Sequence, residues 1–539
     1  MEAGVVPNSP SDWRLRIAAV IAAHFALLLS MGLARHWGFM TALLDLGVFD
    51  QAVWGFLDGQ PFLNTSVMPS AAINWLGVHF NPVLLLFVPL YSLAPRAEWF
   101  ILAQALALSL AAWPIFVLAR RVSGSQLAGF LWATAYLASP FVLNAAAWDF
   151  HPISLAVPLM ALGFLAVDRK DARLLVGSCL LLLTVQEHLG LTVAGFGALW
   201  GLRHGSWRLP VALGALGIAY SLLVLGVVMP RLSPSGAHPM FSDGLGQLSR
   251  YTWLGHSFGE MIRTAVTQPG WVAKTVLLEN RGAAYILLLV LPFLGAPLAA
   301  PALVLPGMAD LAANLLSANG MPRGWMAYHS VNLMPVLAIA GVHGVERMCR
   351  WQRRFGRVEL AGITAAIGLL LGYILAPLPL PGAANAWSPV HALPSPDDGV
   401  VAVRKALPPG GALSVQSNVG AHFSQHRQVS LFPALLDRAD ALVLRLDSPV
   451  SKLHPDRPDA IATLAHHLQM SPGSYLDLVE KLVREGEYGI VLWQDPWLVF
   501  GRGGAAPSPA VRAQVLAKLS RLRVAWDVPD AASGFPDKR

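Results

Sequence analysis

The chain has 539 residues, 55% of them hydrophobic and only 13% charged, against about a quarter charged in ordinary soluble domains. With a mean hydropathy of +0.53, it carries too much apolar surface for one soluble core and reads as a polytopic α-helical membrane protein. The net charge of +7 falls mostly in short loops between apolar segments, where it reports orientation and builds no nucleic-acid surface. Cys179 and Cys349 supply neither a disulfide framework nor a zinc spacing.

The first apolar segment, at 17–33, follows Arg14 and Arg16, which predicts a cytoplasmic N-terminus and places the next loop outside. That loop, 35–96, opens with a helix expected over 43–57 and stopped by Gly59 and Pro61. Asp45 and Asp50 lie five residues apart, so on an unbroken helix they point roughly 140° from each other. They cannot both reach one ligand unless Gly47 relaxes the geometry. Asp45, nearer the membrane, is expected to matter more and Asp50 less. The helix, rich in aromatic residues, suits the membrane surface. The stretch 81–94, interrupted by Pro82 and Pro89, reads as a half-span or surface helix.

Further spans are expected at 98–118, 126–143, 153–167, 174–185, 189–202, 209–229, 283–298, 302–316, 331–345 and 360–376, about eleven in all with the first. The loops assigned inside, around Arg121, Arg169, Arg203 and Arg354, are short and basic. A long outer loop occupies 230–282. The expected organisation is a membrane domain over 1–376, a Pro- and Ala-rich linker over 377–396, and a small extracytoplasmic α/β domain over 397–539. In that last part short β-type runs alternate with helical ones, and no phosphate loop, nucleophile elbow or zinc spacing occurs.

Ionisable residues at membrane depth or at a membrane face are costly and mark function. Those placed outside or at outer span ends are Asp45, Asp50, His79, Asp149, His151, Glu187, His188, Arg281, Arg323 and His329. Asp310, with Asn314, lies within a span, as a transporter or lipid flippase would require. A transporter, or a non-catalytic scaffold for envelope assembly, is therefore the alternative to an enzyme.

The acidic helix LDLGVFDQAVW, the run ARRVSGSQLAG…ASP and the motif AWDFHP resemble the C-type glycosyltransferase superfamily (GT-C), whose members use polyprenyl-phosphate sugars. The run DLGVFDQ…GVHFNP…FHP…QEHLGL…AYHSVNLMP…QSNVGAHFSQHRQVSLFP more specifically resembles the DUF2079 family of predicted bacterial membrane proteins. Where those relatives tend to read Lys-Glu-Asp, this chain has Gln186, Glu187 and His188.

The resemblance implies a bacterial plasma-membrane glycosyltransferase with a GT-C-like fold. It would move a sugar from a polyprenyl-phosphate or -diphosphate donor to an envelope glycan, lipid or protein acceptor outside the cytoplasm. Membrane lipids are then partners and nucleic acid is not. On this reading Asp45 and Asp50 are catalytic, with Asp45 the favoured base. His79, Asp149, His151, Glu187 and His188 orient the acceptor or a metal, and Arg323, His329 and Arg281 hold the donor phosphate. A divalent ion, Mg or Mn, is expected if any, with Asp45 and Asp149 as its ligands.

Overall fold

A computed structural model of the chain describes residues 10–68, 71–233, 236, 250–351, 354–384, 394–448, 461–485, 487–505 and 507–528, and they are mostly helical. The outer loop at 230–282 and the linker at 377–396 lie partly outside the described residues, at 234–235, 237–249 and 385–393. The chain forms two compact units that interleave in sequence. One comprises Met1–Gly32, Leu76–Leu84 and Phe100–Ala386; the other comprises Leu33–Trp75, Leu85–Trp99 and Trp387–Arg539.

The first unit holds most of the apolar helices. Among the described residues of the whole chain, five helices are long and apolar enough to cross a membrane: Asp12–Trp37, Glu98–Ser123, Pro152–Arg169, Arg208–Leu232 and Arg357–Leu375. The number rises to seven if the bent pairs Gln126–Leu137 with Pro140–Ala146 and Pro269–Glu279 with Gly282–Phe293 each count as one span. The first bend, of 49°, falls where Pro140 forces Ser139 out of helical geometry. Several segments expected as spans are shorter apolar helices, among them Ala172–Val185 and Pro301–Leu316. Helix Leu333–Trp351 is buried without interruption from Leu333 to Val342, as a helix enclosed by others must be.

Short helices position polar residues. Ala172–Val185 starts at Asp171, whose side chain accepts a hydrogen bond from the Leu174 amide, and stops at Val185, beyond which Gln186 is extended. Asn81 Nδ2 donates to the Val185 carbonyl at 2.7 Å, capping that end. The next helix, Leu189–His204, crosses Arg208–Leu223 so closely that a Cβ on Gly217 would collide with the Gly190 carbonyl. Small residues at such crossings let two backbones touch. Gln186, Glu187 and His188 are thereby held on a short turn between two fixed helices.

The second unit is built on a sheet. Short strands β1 (Leu63–Asn64) and β2 (Ile73–Asn74) pair with each other. Strands β3 (Leu413–Val415), β4 (Val429–Leu431), β5 (Ala441–Arg445), β6 (Tyr488–Gln494) and β7 (Trp497–Arg502) form a sheet in the order β4-β3-β5-β7-β6. Its β4-β3-β5 part is parallel and its β5-β7-β6 part antiparallel. Alternation along β5 and β7 sorts the two faces. Leu442, Leu444, Leu498 and Phe500 face the helices Ile461–Leu468, Pro472–Glu485 and Pro509–Ala525 through residues such as Leu464, Tyr475, Val479 and Leu519. Ala441, Val443, Trp497 and Val499 face Val400 and Val403 on one side chain layer and, within the same core, Phe39 and Leu43.

Those last two residues change the expected domain plan. Hydropathy groups the loop 35–96 with the spans, whereas the compact unit that contains the sheet contains most of that loop. Phe39 is fully buried and its ring lies 4.2 Å from the Arg445 guanidinium, which also sits 4.9 Å from Trp497 and pairs with Asp398 and Asp447. Thr65 Oγ1 donates to the Val429 carbonyl and accepts from the Val429 amide, both at 3.0 Å. The loop thus covers the otherwise open edge of β4.

This arrangement predicts that Phe39→Ala costs about 3–5 kcal/mol, the usual range for emptying a buried phenylalanine site. Limited proteolysis of the purified full-length protein should then show faster cleavage within 394–528. Unchanged resistance there would mean that the loop contributes nothing to the C-terminal core.

Candidate functional site

In the membrane unit, five distant segments bring polar side chains into one cluster. His79 Nδ1 lies 3.2 Å from Glu187 Oε1, and the Phe80 amide donates to Glu187 Oε2 at 3.0 Å. The next residue, His188, places Nε2 3.0 Å from Asp310 Oδ1. His151 stacks on Tyr328 with ring centroids 3.5 Å apart, and Tyr328 stacks in turn on His329 at 4.2 Å. The side chains of His79 and His188 are 23% and 31% exposed against 8% for Glu187 and Asp310, so the imidazoles face outward and the carboxylates anchor them from behind.

The protonation pattern follows from burial and pairing. Burial alone would raise Glu187, but the hydrogen bond and charge of His79, with the charge of His188, bring its carboxyl down to about 2. For His188 burial is outweighed by the Asp310 hydrogen bond and charge, which raise it and favour the imidazolium. Burial lowers His151 to about 3, against a hydrogen bond to the Asp149 carbonyl, and lowers His329 to about 4 with help from Arg250. Burial thus favours the neutral imidazole at His151 and His329, while Asp310 favours the protonated form at His188.

One supporting residue, Gln104, went unread in the sequence. Gln104 Oε1 accepts from the His151 amide and from Ser154 Oγ, while its Nε2 donates to the Ala145 and Trp148 carbonyls, fastening the AWDFHP turn. Asn314, one turn beyond Asp310, donates to Tyr285 Oη and to the His329 carbonyl. A lone Gln in a long apolar helix was the available signal for Gln104. Asp310 and Asn314, expected within a span, both join this cluster. Among the described residues, Asp310 Oδ2, His329 Nδ1 and both polar atoms of the Asn332 side chain are buried without a protein partner. Such atoms are costly unless a ligand or water meets them.

The other expected residues of this unit are placed differently. Asp149 is buried on the turn beside His151. Arg323 Nη1 donates to the Asn314 and Ser317 carbonyls and so caps helix Met308–Leu316, a structural duty the sequence reading did not give it. Arg281 is exposed, in the left-handed conformation ahead of helix Gly282–Val290.

The acidic pair belongs to the second unit. Leu43–Gly47 winds as one π-helical turn, with the Gly47 amide bonding the Ala42 carbonyl five residues back, before α-helix Val48–Trp54. The straight-helix offset between Asp45 and Asp50 therefore does not apply. Asp45 is half-buried on the π turn. Asp50 is 1% exposed and accepts from Tyr91 Oη at 2.6 Å, Ser424 Oγ at 2.5 Å and Gln425 Nε2 at 3.0 Å. Burial holds its carboxyl above the usual range, against the pull of those three donors and of the Arg404 charge. Close approach makes this possible: a Cβ on Gly47 would lie 3.5 Å from Ser424 Cβ, and one on Gly420 would press 2.5 Å from Leu43 Cβ. Among the described residues, no three His, Cys, Asp or Glu side chains are grouped to hold a metal ion.

The signs of the shifts give a pH dependence. Because His188 is raised above its ordinary 6.5, its contribution to stability is complete below that value and is lost as pH climbs through the folded-state value. Glu187, lowered from 4.5 to about 2, contributes above 4.5 and loses that contribution only in strong acid. The melting temperature of the purified protein should accordingly fall as pH rises above 6.5, and Asp310→Asn should abolish that step. An identical alkaline profile in the variant would show that Asp310 does not hold the His188 proton.

No curated protein matches the chain. Among solved structures, ArnT from Cupriavidus metallidurans in the apo state aligns over 93% of this chain and 100% of its own, with 14% identity and a TM-score of 0.49. The family described as predicted membrane protein DUF2079 matches residues 35–499, and the chain belongs to that family.

Proposed function

We propose that the protein is a membrane glycosyltransferase of the GT-C type, moving a sugar from a polyprenyl-phosphate or -diphosphate donor to an acceptor outside the cytoplasm. The observation that carries this reading is the convergence of His79, His151, Glu187, His188 and His329 on one partly open cluster, drawn from segments far apart in sequence. Transfer needs a base for the acceptor proton and donors for the departing phosphate, held together in a site of low dielectric.

In the proposed reaction the acceptor oxygen forms a bond to the anomeric carbon as the bond from that carbon to phosphate breaks. The electron pair leaves with the polyprenyl phosphate, and the acceptor proton passes to a carboxylate base, the role that the family resemblance gives to Asp45. His188, whose protonated form Asp310 favours, and His329, whose Nδ1 is buried without a protein partner, receive the phosphate charge. Arg323 and Arg281 are the outlying cations of that task. Glu187 and Asp310 orient their imidazoles, and Asp149 and His151 orient the acceptor. A π-helical turn, common at functional sites, supports Asp45 as the base. Asp50, with both oxygens occupied by donors, is better suited to hold the loop than to move a proton.

Asp45→Asn keeps the shape and removes the base, so sugar transfer should fall by at least a hundredfold with the melting temperature unchanged. Asp50→Asn should instead lower the melting temperature, because an amide nitrogen cannot accept the hydrogen bonds that the carboxylate oxygen accepts. Retained transfer in Asp45→Asn would remove Asp45 from the reaction.

The proposed orientation puts the N-terminus in the cytoplasm of a bacterial cell and the sheet-containing unit outside. A cysteine at the exposed Ser471 should react with an impermeant thiol reagent in intact cells. Protection until the cells are lysed would reverse the orientation.

A further inference from the structure

The sheet-containing unit holds a cleft of about 300 Å³ that the proposed chemistry does not use. Its walls include Arg96, Glu98, Asp397, Arg404, His422 and Gln425. Glu98 begins a candidate membrane span and His36, also in the wall, lies near the end of another, so the cleft belongs at the membrane surface.

The wall is about half polar and half apolar, as the faces of a sugar ring are, and its charges balance, two guanidinium groups against two carboxylates. An apolar ligand would strand these groups, and a phosphate would meet two carboxylates. Each charged group is only partly committed. Arg404 Nη2 donates to the His422 carbonyl at 2.8 Å, leaving other N–H donors of the same guanidinium. One oxygen of Glu98 accepts from Trp37 Nε1 at 3.1 Å, and one oxygen of Asp397 accepts from the Val401 amide at 2.9 Å. What remains is a mixture of donors and acceptors lining a small cavity, which suits hydroxyl groups, each able to donate and to accept. The volume is at the lower end for small-molecule sites and suits one sugar unit.

The frame is rigid. His422 stacks on His36 with ring centroids 4.1 Å apart and planes 10° from parallel, and its Nε2 lies 2.9 Å from the His36 carbonyl oxygen. Gln425 joins the cleft to the acidic helix, since its Nε2 donates both to Asp50 Oδ1 at 3.0 Å and to the Pro95 carbonyl at 3.1 Å.

We propose that this cleft binds an uncharged pyranose, and, resting on the transfer reading above, that this pyranose is part of the acceptor. Binding itself needs no donor and no turnover, so it is tested apart from transfer. The full-length protein in lipid nanodiscs is probed by saturation-transfer NMR with the methyl glycosides of glucose, galactose and mannose, and with glucuronate and inorganic phosphate. A second arm presents the same neutral sugars on diacylglycerol in the disc, with binding read as protection of Arg404 from a guanidinium-modifying reagent. At least one neutral glycoside should give a signal. Tighter binding of the lipid-linked form assigns the sugar to a membrane glycolipid, and equal binding to a soluble glycan. Val401→Trp, which fills the cleft from its half-exposed rim, should reduce that binding at least tenfold with the melting temperature unchanged. Glu98→Gln with Arg404→Gln should do the same. The proposal is overturned if no neutral glycoside binds in either arm, if binding survives Val401→Trp, or if phosphate or glucuronate binds in preference. Binding with no sugar transfer would retain the pyranose site and sink the transfer reading alone.

Discussion

The Asp50 carboxylate is the constraint on which the second unit depends. It takes hydrogen bonds from Tyr91, Ser424 and Gln425, residues from two chain segments that meet only in the folded state. A buried carboxylate is tolerated only when such donors are present, so the three segments must come together or the charge stays costly. Around it the packing is equally specific. Gly47 and Gly420 let the π turn and the Gln416–Ala421 region approach to contact, Asn418 donates to the Phe39 carbonyl, and Arg445 is held between Phe39 and Trp497. The half-buried Asp45 inherits its position from this scaffold.

The membrane unit solves a related problem with imidazoles. Glu187 and Asp310 are buried behind His79 and His188, so each carboxylate has a partner and each imidazole is aimed. Asn81, Asp171 and the Gly190–Gly217 crossing hold the turn that carries Glu187 and His188. Gln104 does the same for His151. The cluster sits on loops fixed at both ends by helices, the usual way a rigid scaffold positions polar side chains.

Much of this was legible in the residues. Hydropathy gave a many-span protein and the change of texture past Pro377 marked an α/β fold, whereas the bend at Pro140 lies inside a segment expected as one straight span. The candidate residues were found because charge at membrane depth is rare. What stayed hidden had physical reasons. In sequence Phe39 and Leu43 belong to a loop that hydropathy groups with the spans, and only the sheet they cover reveals them as core. The π turn leaves no pattern at the level of residue spacing. Segments of the length of Ala172–Val185 satisfy an apolar window while falling short as spanning helices. Arg323 carried the right charge for a phosphate, yet hydrogen-bond accounting at the end of helix Met308–Leu316 uses it first.

The central claim is that the polar clusters serve chemistry on a lipid-linked sugar rather than passage of a solute or lipid. Its most direct measurement is single-turnover release of free polyprenyl phosphate by the purified protein from a panel of polyprenyl-phosphate sugars. The account predicts release from at least one donor, slow into water and faster once an acceptor is supplied. No release from any donor, with movement of lipid across sealed vesicles that contain the protein, would contradict it.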